Sequence, residues 1–217
     1  MVKIDRTPQA PASLAIEKQK AYGKYNLPDV IEQLCQDFHD KCYICEMDNL
    51  QSIEVEHLKP HHNGRDKDRK FDWNNLFLSC PHCNSVKNQS KYEDKILDCC
   101  QIDPEQVVKQ ELIAGHVKVS PLIQSPEAKM TALLIYECFE LTNAAIRTKE
   151  CEVRLCELQK VMTVLCKTLE QFRVSKAPRL ERTIRGMLNR NHKFAGFTRT
   201  YVRTQLEQYP ELAQYVA

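Results

Sequence analysis

Two Cys-x-x-Cys pairs, Cys42/Cys45 and Cys80/Cys83, stand 34 residues apart in a chain of 217. Two intervening residues form a tight turn that lets each pair grip one side of an ion, and four thiolates complete a tetrahedral zinc site. The gap exceeds the ~15–20 residues of a zinc ribbon, so the clip closes a long loop that must hold something. Four thiolates leave no open coordination position, so this zinc is expected to be structural, and catalysis would need other ligands. Redox-active or simply buried cysteines are the alternatives. His82 becomes a ligand only if one cysteine is displaced.

The remaining cysteines (35, 99, 100, 138, 151, 156 and 166) are scattered through apolar-periodic stretches. The total of eleven is odd, and the polar N-terminus has no signal-peptide core. Both features argue against a disulfide framework and for a reducing, cytoplasmic setting. No apolar run reaches the ~18 residues of a membrane span. A net charge of only +2 announces no nucleic-acid partner by itself.

Residues 1–27 begin with a Pro-containing, weakly apolar stretch and read as an extended N-terminal arm. Ile31, Leu34, Cys35 and Phe38 have the spacing of a short amphipathic helix over 28–41. The loop itself carries short apolar pieces, SIEVEHL and NNLFLSC, that read as small strands or turns. After a mixed stretch over 90–125, Met130, Leu133, Leu134, Cys138 and Leu141 share a helical face. Leu155, Leu158, Met162, Leu165, Leu169 and Phe172 then alternate spacings of three and four, a bundle seam ended by Pro178. Helices are also expected at Leu180–Leu188 and from Thr198 to Gln208. The expected class is α+β, mostly α: an arm (1–27), a zinc-stapled module (28–100) and a helical domain (101–217).

Inside the clip, Glu54 and Glu56 alternate with Ile53 and Val55 as on a strand with one polar face. His57 and Lys59 follow. Pro81 suits a first helical turn, which places Asn84 and Lys87 on one face of the helix that Cys80 opens. The zinc thus gathers a carboxylate–histidine pair, an Asn-Asn-Leu segment and a helix-borne asparagine.

These residues resemble the HNH endonucleases, whose ββα-metal fold has zinc-stapled versions with paired CxxC motifs. E-H-L-x-P (Glu56–Pro60), D-x-x-N-L (Asp72–Leu76) and C-x-x-C-N-x-x-K (Cys80–Lys87) match the three motifs in order. Asn84 stands where many members have histidine, which makes this an HNN variant and favours a hard, magnesium-like cation. The arm and the tail NHKFAGFTRTYVR (191–203) further resemble PtuB-type nuclease subunits of Septu-type and retron-associated anti-phage systems.

The resemblance implies a bacterial endonuclease that hydrolyses phosphodiester bonds of DNA or RNA with Mg2+ or Mn2+. It implies an ABC-like ATPase partner (PtuA-like) and extends the partner set to a retron reverse transcriptase and its nucleic acid. In it His57 is the general base, Glu56 and Asn84 hold the cation, and Asn75 orients His57. Lys87 and Lys59 neutralise phosphate. Glu54 competes with Glu56 for the cation and Asn74 with Asn75, while His61 and His62 read as an exposed loop. A zinc-stapled adaptor without catalysis is the rival reading.

From Arg173 to Arg203 there are nine Lys/Arg and one acid, Glu181. With Phe194, Phe197 and Tyr201 interleaved, this stripe suits a phosphate-rich partner, Arg179, Arg182 and Arg185 being the nucleic-acid candidates. A solvated helix face or an acidic protein partner fits it as well.

Overall fold

A computed structural model describes residues 1–217. Helix α1 (Ala12–Lys18) leads to α2 (Pro28–Phe38), which starts on a proline at its first position and buries Val30, Leu34 and Phe38. His39, in the left-handed conformation (φ 53°), stops it. The two expected strands are present as β1 (Glu54–His57) and β2 (Leu76–Ser79), antiparallel with Glu56 opposite Phe77 and His57 opposite Leu76. Between them lies the short α3 (Lys67–Phe71), capped by the Asp66 carboxylate. Helix α4 (Pro81–Lys87) opens at Cys80, where Pro81 costs no backbone hydrogen bond.

The 90–125 stretch, expected to be mixed, holds a hairpin of β3 (Val108–Ile113) and β4 (His116–Pro121). Its turn residues Ala114 and Gly115 both have positive φ (49° and 83°), the primed-turn geometry that matches strand twist. Helix α5 (Pro126–Glu140), capped by Ser125, packs on this hairpin and on α4. A two-residue hairpin, β5 (Thr142–Asn143) and β6 (Ile146–Arg147), leads into the 27-residue α6 (Lys149–Ser175). The whole predicted seam from Leu155 to Phe172 is buried, and α6 lies against α5 and α7 (Pro178–Leu188) within the same chain. Helices α8 (Ala195–Arg203) and α9 (Ala213–Val216) close the bundle. The molecule is a mostly helical α+β protein, and one apolar cluster runs from Met1 through the clip to Val216.

The arm is not a free tail. Met1 is fully buried, with its amino group 2.5 Å from Glu46 Oε1 and 2.6 Å from Gln110 Oε1. The Arg6 guanidinium stacks over Trp73 and Phe77, each at 4.7 Å, and donates to the carbonyls of Trp73 and Leu76. These backbone partners lie at the start of β2, so the arm braces the strand beside the clip.

The tail also departs from expectation. Phe194 and Phe197 are 0% and 1% exposed and pack on Phe139, so they are unavailable for stacking on a base. Arg190, Arg199 and Arg203 turn inward to a shared acid, Glu105, with Arg190 also on Asp103. Lys193 pairs with Asp48 and Glu157, and Lys176 with Glu211. Charge counted along the sequence therefore overstated the surface potential, because over half the stripe is neutralised by acids distant in the chain.

Candidate active site

The four clip cysteines are buried, and their sulfurs lie within 4.8 Å of one another, a spacing that fits one tetrahedral zinc ion. Cys80 also caps α4, its sulfur accepting from Cys83 N–H. His82 takes no part; its Nε2 lies 3.2 Å from the Cys138 carbonyl. A residue outside the clip completes the surroundings: buried Arg154 of α6 donates from Nη2 to Cys80 Sγ at 3.0 Å and from Nη1 to Glu150 O at 2.6 Å. Four thiolates around a divalent ion carry a net negative charge, and a guanidinium held against one sulfur offsets part of it.

The clip sets α4 across the polar face of β1. Alternate strand residues stand ~6.7 Å apart, and residues three apart on a helix face the same side. Two contacts follow. Asn84 Nδ2 donates to Glu54 Oε2, and Lys87 Nζ lies 2.5 Å from Glu56 Oε1. Asn84 thus bonds Glu54 rather than the Glu56 that the sequence reading paired with it. A carboxylate takes only a donor, which fixes the amide orientation and leaves Asn84 Oδ1 as a free acceptor.

Glu56 is 4% exposed. Lys87 Nζ pairs with Glu56 Oε1 at 2.5 Å and donates to His57 O at 2.9 Å. Burial raises the Glu56 pKa, against the opposing pull of Lys87 and Tyr43. A buried carboxylate is costly unless a cation binds it, and Lys87 is the cation placed beside this one. Glu56 and Asn84 Oδ1 are oxygen donors of the kind that hard divalent cations take, so these residues fit the group that the sequence implied.

His57 ends β1 half-buried. Its Nε2 is 3.0 Å from Lys70 O, so the proton sits on Nε2 and Nδ1 is left as the acceptor. Burial, with the charges of His61, Lys87 and Lys70, lowers its pKa to about 4. Near neutral pH the ring is an uncharged base. Asn75 is buried and makes no hydrogen bond to the ring, unlike the direct orienting role expected from sequence. Its amide donates to Lys59 O and Arg69 O, both at 2.9 Å, and its Oδ1 accepts from Lys59 N at 2.8 Å. Asn74 is exposed.

Glu56, His57, Asn84 and Lys87 line one cleft of about 450 Å³ with Tyr25 and His61. Lys59 lies outside it, its side chain exposed. Arg179, Arg182 and Arg185 are exposed on α7 and make no ion pairs. Tyr25 was not among the sequence candidates, and His61, expected in an exposed loop, is half-buried and lines the cleft. Tyr25 comes from the segment between α1 and α2, which no motif marks. The only local hint for His61 was Asn63-Gly64 behind it, a turn pair that sends the chain back.

Residues 42–90 match the family model described as HNH endonuclease. No curated protein matches the chain. The matched segment spans the clip, β1, β2 and α4, and ends at the cleft. Residues 42–90 form an HNH endonuclease domain with a four-cysteine cluster.

Proposed function

We propose that this cleft hydrolyses nucleic-acid phosphodiester bonds with a divalent cation, and that His57 is the general base. The observation that carries the reading is the wiring of His57: Nε2 is anchored on Lys70 O, so the lone pair on Nδ1 is free on a ring that lines the same cleft as Glu56 and Asn84. A base must be unprotonated and fixed in one tautomer to take a proton from water, and burial and the Lys70 carbonyl supply the two conditions.

Glu56 and Asn84 would hold the cation, which supplies charge neutralisation at the scissile phosphate and the leaving 3′ oxygen. Glu54 keeps the Asn84 amide turned so that its oxygen stays available. Lys87, between Glu56 and the His57 carbonyl, lines the cleft and would offset phosphate charge there. Asn75 acts as a positioning residue through the loop. The products would carry a 5′ phosphate and a 3′ hydroxyl.

The test is cleavage of supercoiled plasmid and of a structured RNA with magnesium or manganese, beside His57→Ala. Loss of cleavage in the variant is expected; equal activity in both proteins removes His57 from catalysis. Two finer elements rest on the likeness of the motifs, arm and tail to PtuB-type subunits: a role as effector of an anti-phage complex, and an ABC-like ATPase partner. An ATPase gene adjacent to this one and co-purification of its product would support them; a solitary gene would count against them.

A further inference from the structure

The roles given above leave the second imidazole of the cleft unused. The His61 ring centroid is 4.3 Å from that of His57 and 6.0 Å from that of Tyr25, which itself meets His57 edge-on at 4.5 Å. Left-handed backbone at His62, Asn63 and Gly64 (φ 50°, 56° and 82°) turns the chain back behind it. The turn delivers the Gly64 N–H to His61 Nδ1 at 2.8 Å.

A neutral imidazole carries one ring proton, and a nitrogen that accepts a hydrogen bond is not the one that bears it. His61 therefore holds its proton on Nε2. That nitrogen has no partner in the protein, and the ring lines the cleft. His57 is wired in the opposite sense: Nε2–H is spent on Lys70 O, and Nδ1 is the free atom. Two touching rings thus offer one cavity a base and a hydrogen-bond donor. The same wiring rules His61 out as a cation ligand, since binding at Nε2 would have to displace the ring proton while Nδ1 faces an N–H.

We propose that His61 is a catalytic residue whose Nε2–H donates to a non-bridging oxygen of the scissile phosphate. The proposal rests on the nuclease reading. In the step, the water oxygen bonds to phosphorus as the P–O3′ bond breaks. His57 Nδ1 takes the water proton, and the departing 3′ oxygen is protonated from solvent. His61 keeps its proton; its donor is in place before charge accumulates on the phosphoryl oxygens, which is how a fixed donor lowers a barrier.

The test uses the zinc-loaded full chain as wild type, His61→Phe and His61→Gln. Cleavage of plasmid and structured RNA is measured with magnesium or manganese, and histidine ring ¹⁵N spectra are followed during titration with inorganic phosphate. His61→Phe keeps an aromatic ring against His57 and Tyr25 but has no N–H, so kcat should fall about 100-fold with KM little changed. His61→Gln retains an amide donor and should recover part of the loss. The wild-type spectrum should show His61 protonated at Nε2, with that resonance moving as phosphate is added.

Wild-type rates in His61→Phe at equal zinc content overturn the proposal and leave the nuclease reading intact. An Nδ1-protonated His61, or an Nε2 signal indifferent to phosphate, overturns it whether or not the protein cleaves. If His61→Phe fails to fold, the glutamine variant and the wild-type spectrum decide. If the wild type cleaves neither substrate while phosphate still moves the Nε2 signal, the donor assignment stands and the nuclease reading falls.

Discussion

Asn75 and His57 hold adjacent carbonyls of one stretch of backbone. Asn75 Nδ2 holds the Arg69 carbonyl at 2.9 Å, and the next carbonyl along the chain, Lys70 O, holds His57 Nε2 at 3.0 Å. Asn75→Ala removes this bond and two to Lys59. At about 1 kcal/mol each, the expected loss is about 2–3 kcal/mol, read from urea unfolding. Because the base would also lose its anchor, kcat should drop more than KM rises. A fully active, destabilised variant would show that His57 keeps its tautomer without the clamp.

The Glu56–Lys87 pair is nearly buried, at 4% and 9% exposed side chains. Removing one partner of such a pair strands the other charge at a cost of about 3–5 kcal/mol. Lys87→Met should therefore lower stability by roughly that amount in zinc-loaded protein without added magnesium. Added magnesium should restore more stability to the variant than to the wild type, since a cation on Glu56 replaces the lost charge. Equal magnesium effects on the two unfolding curves would show that Glu56 does not bind the ion.

The acid limb of activity should lie well below the range of an ordinary histidine. The His57 pKa falls from 6.5 to about 4, chiefly by burial. As pH drops, the unfolded chain takes up this proton first, so the native state loses relative stability between about 6.5 and about 4 and gains nothing above. The shift caps the effect at about 3 kcal/mol. Ring ¹⁵N shifts of His57 followed from pH 8 to pH 4 check the value; a midpoint near 6.5 would refute it.

How legible was this site? The motif residues were, because their chemistry is local. A CxxC turn, a proline-opened helix and alternating carboxylates fix their own geometry, and so β1, β2, α4 and the seam of α6 appear where periodicity put them. What escaped depends on long-range return of the chain. Tyr25 reaches His57 from another segment, Arg154 reaches Cys80 across 74 positions, and Glu105 collects three arginines from the tail. The partner of Asn84 turned on which of two same-face glutamates α4 crosses, which alternation cannot tell. The β3–β4 hairpin, by contrast, carries a local signal, Ala-Gly between alternating apolar residues.

Arg154 offers a test of the clip. Outer groups that bond a metal ligand typically contribute 10–100-fold in affinity. Arg154→Met keeps much of the packing volume but withdraws the donor from Cys80 Sγ. Zinc should pass to a chromophoric chelator at least about ten times more readily from this variant. Full removal of zinc should unfold the loop that carries Glu56 and His57, visible as lost tryptophan burial, because Trp73 in the same loop is 3% exposed. Unchanged zinc retention would make Arg154 a packing residue only.

The surviving basic face is on α7. Arg179, Arg182 and Arg185 are exposed on a helix whose Ile184, Met187 and Leu188 are buried, and none has an acidic partner. Each lysine or arginine that meets a duplex phosphate contributes about −0.9 to the slope of log K against log salt. If this face carries substrate, the triple change to glutamine should weaken DNA binding and flatten that slope by about 2–3. The fold should tolerate it, since no buried contact is lost. Arg199→Gln, by contrast, breaks bonds to Leu188 O, Tyr215 O, Ala217 O and Glu105 and should cost stability rather than affinity. An unchanged salt slope in the triple variant would place the DNA elsewhere and leave α7 as a face for an acidic protein.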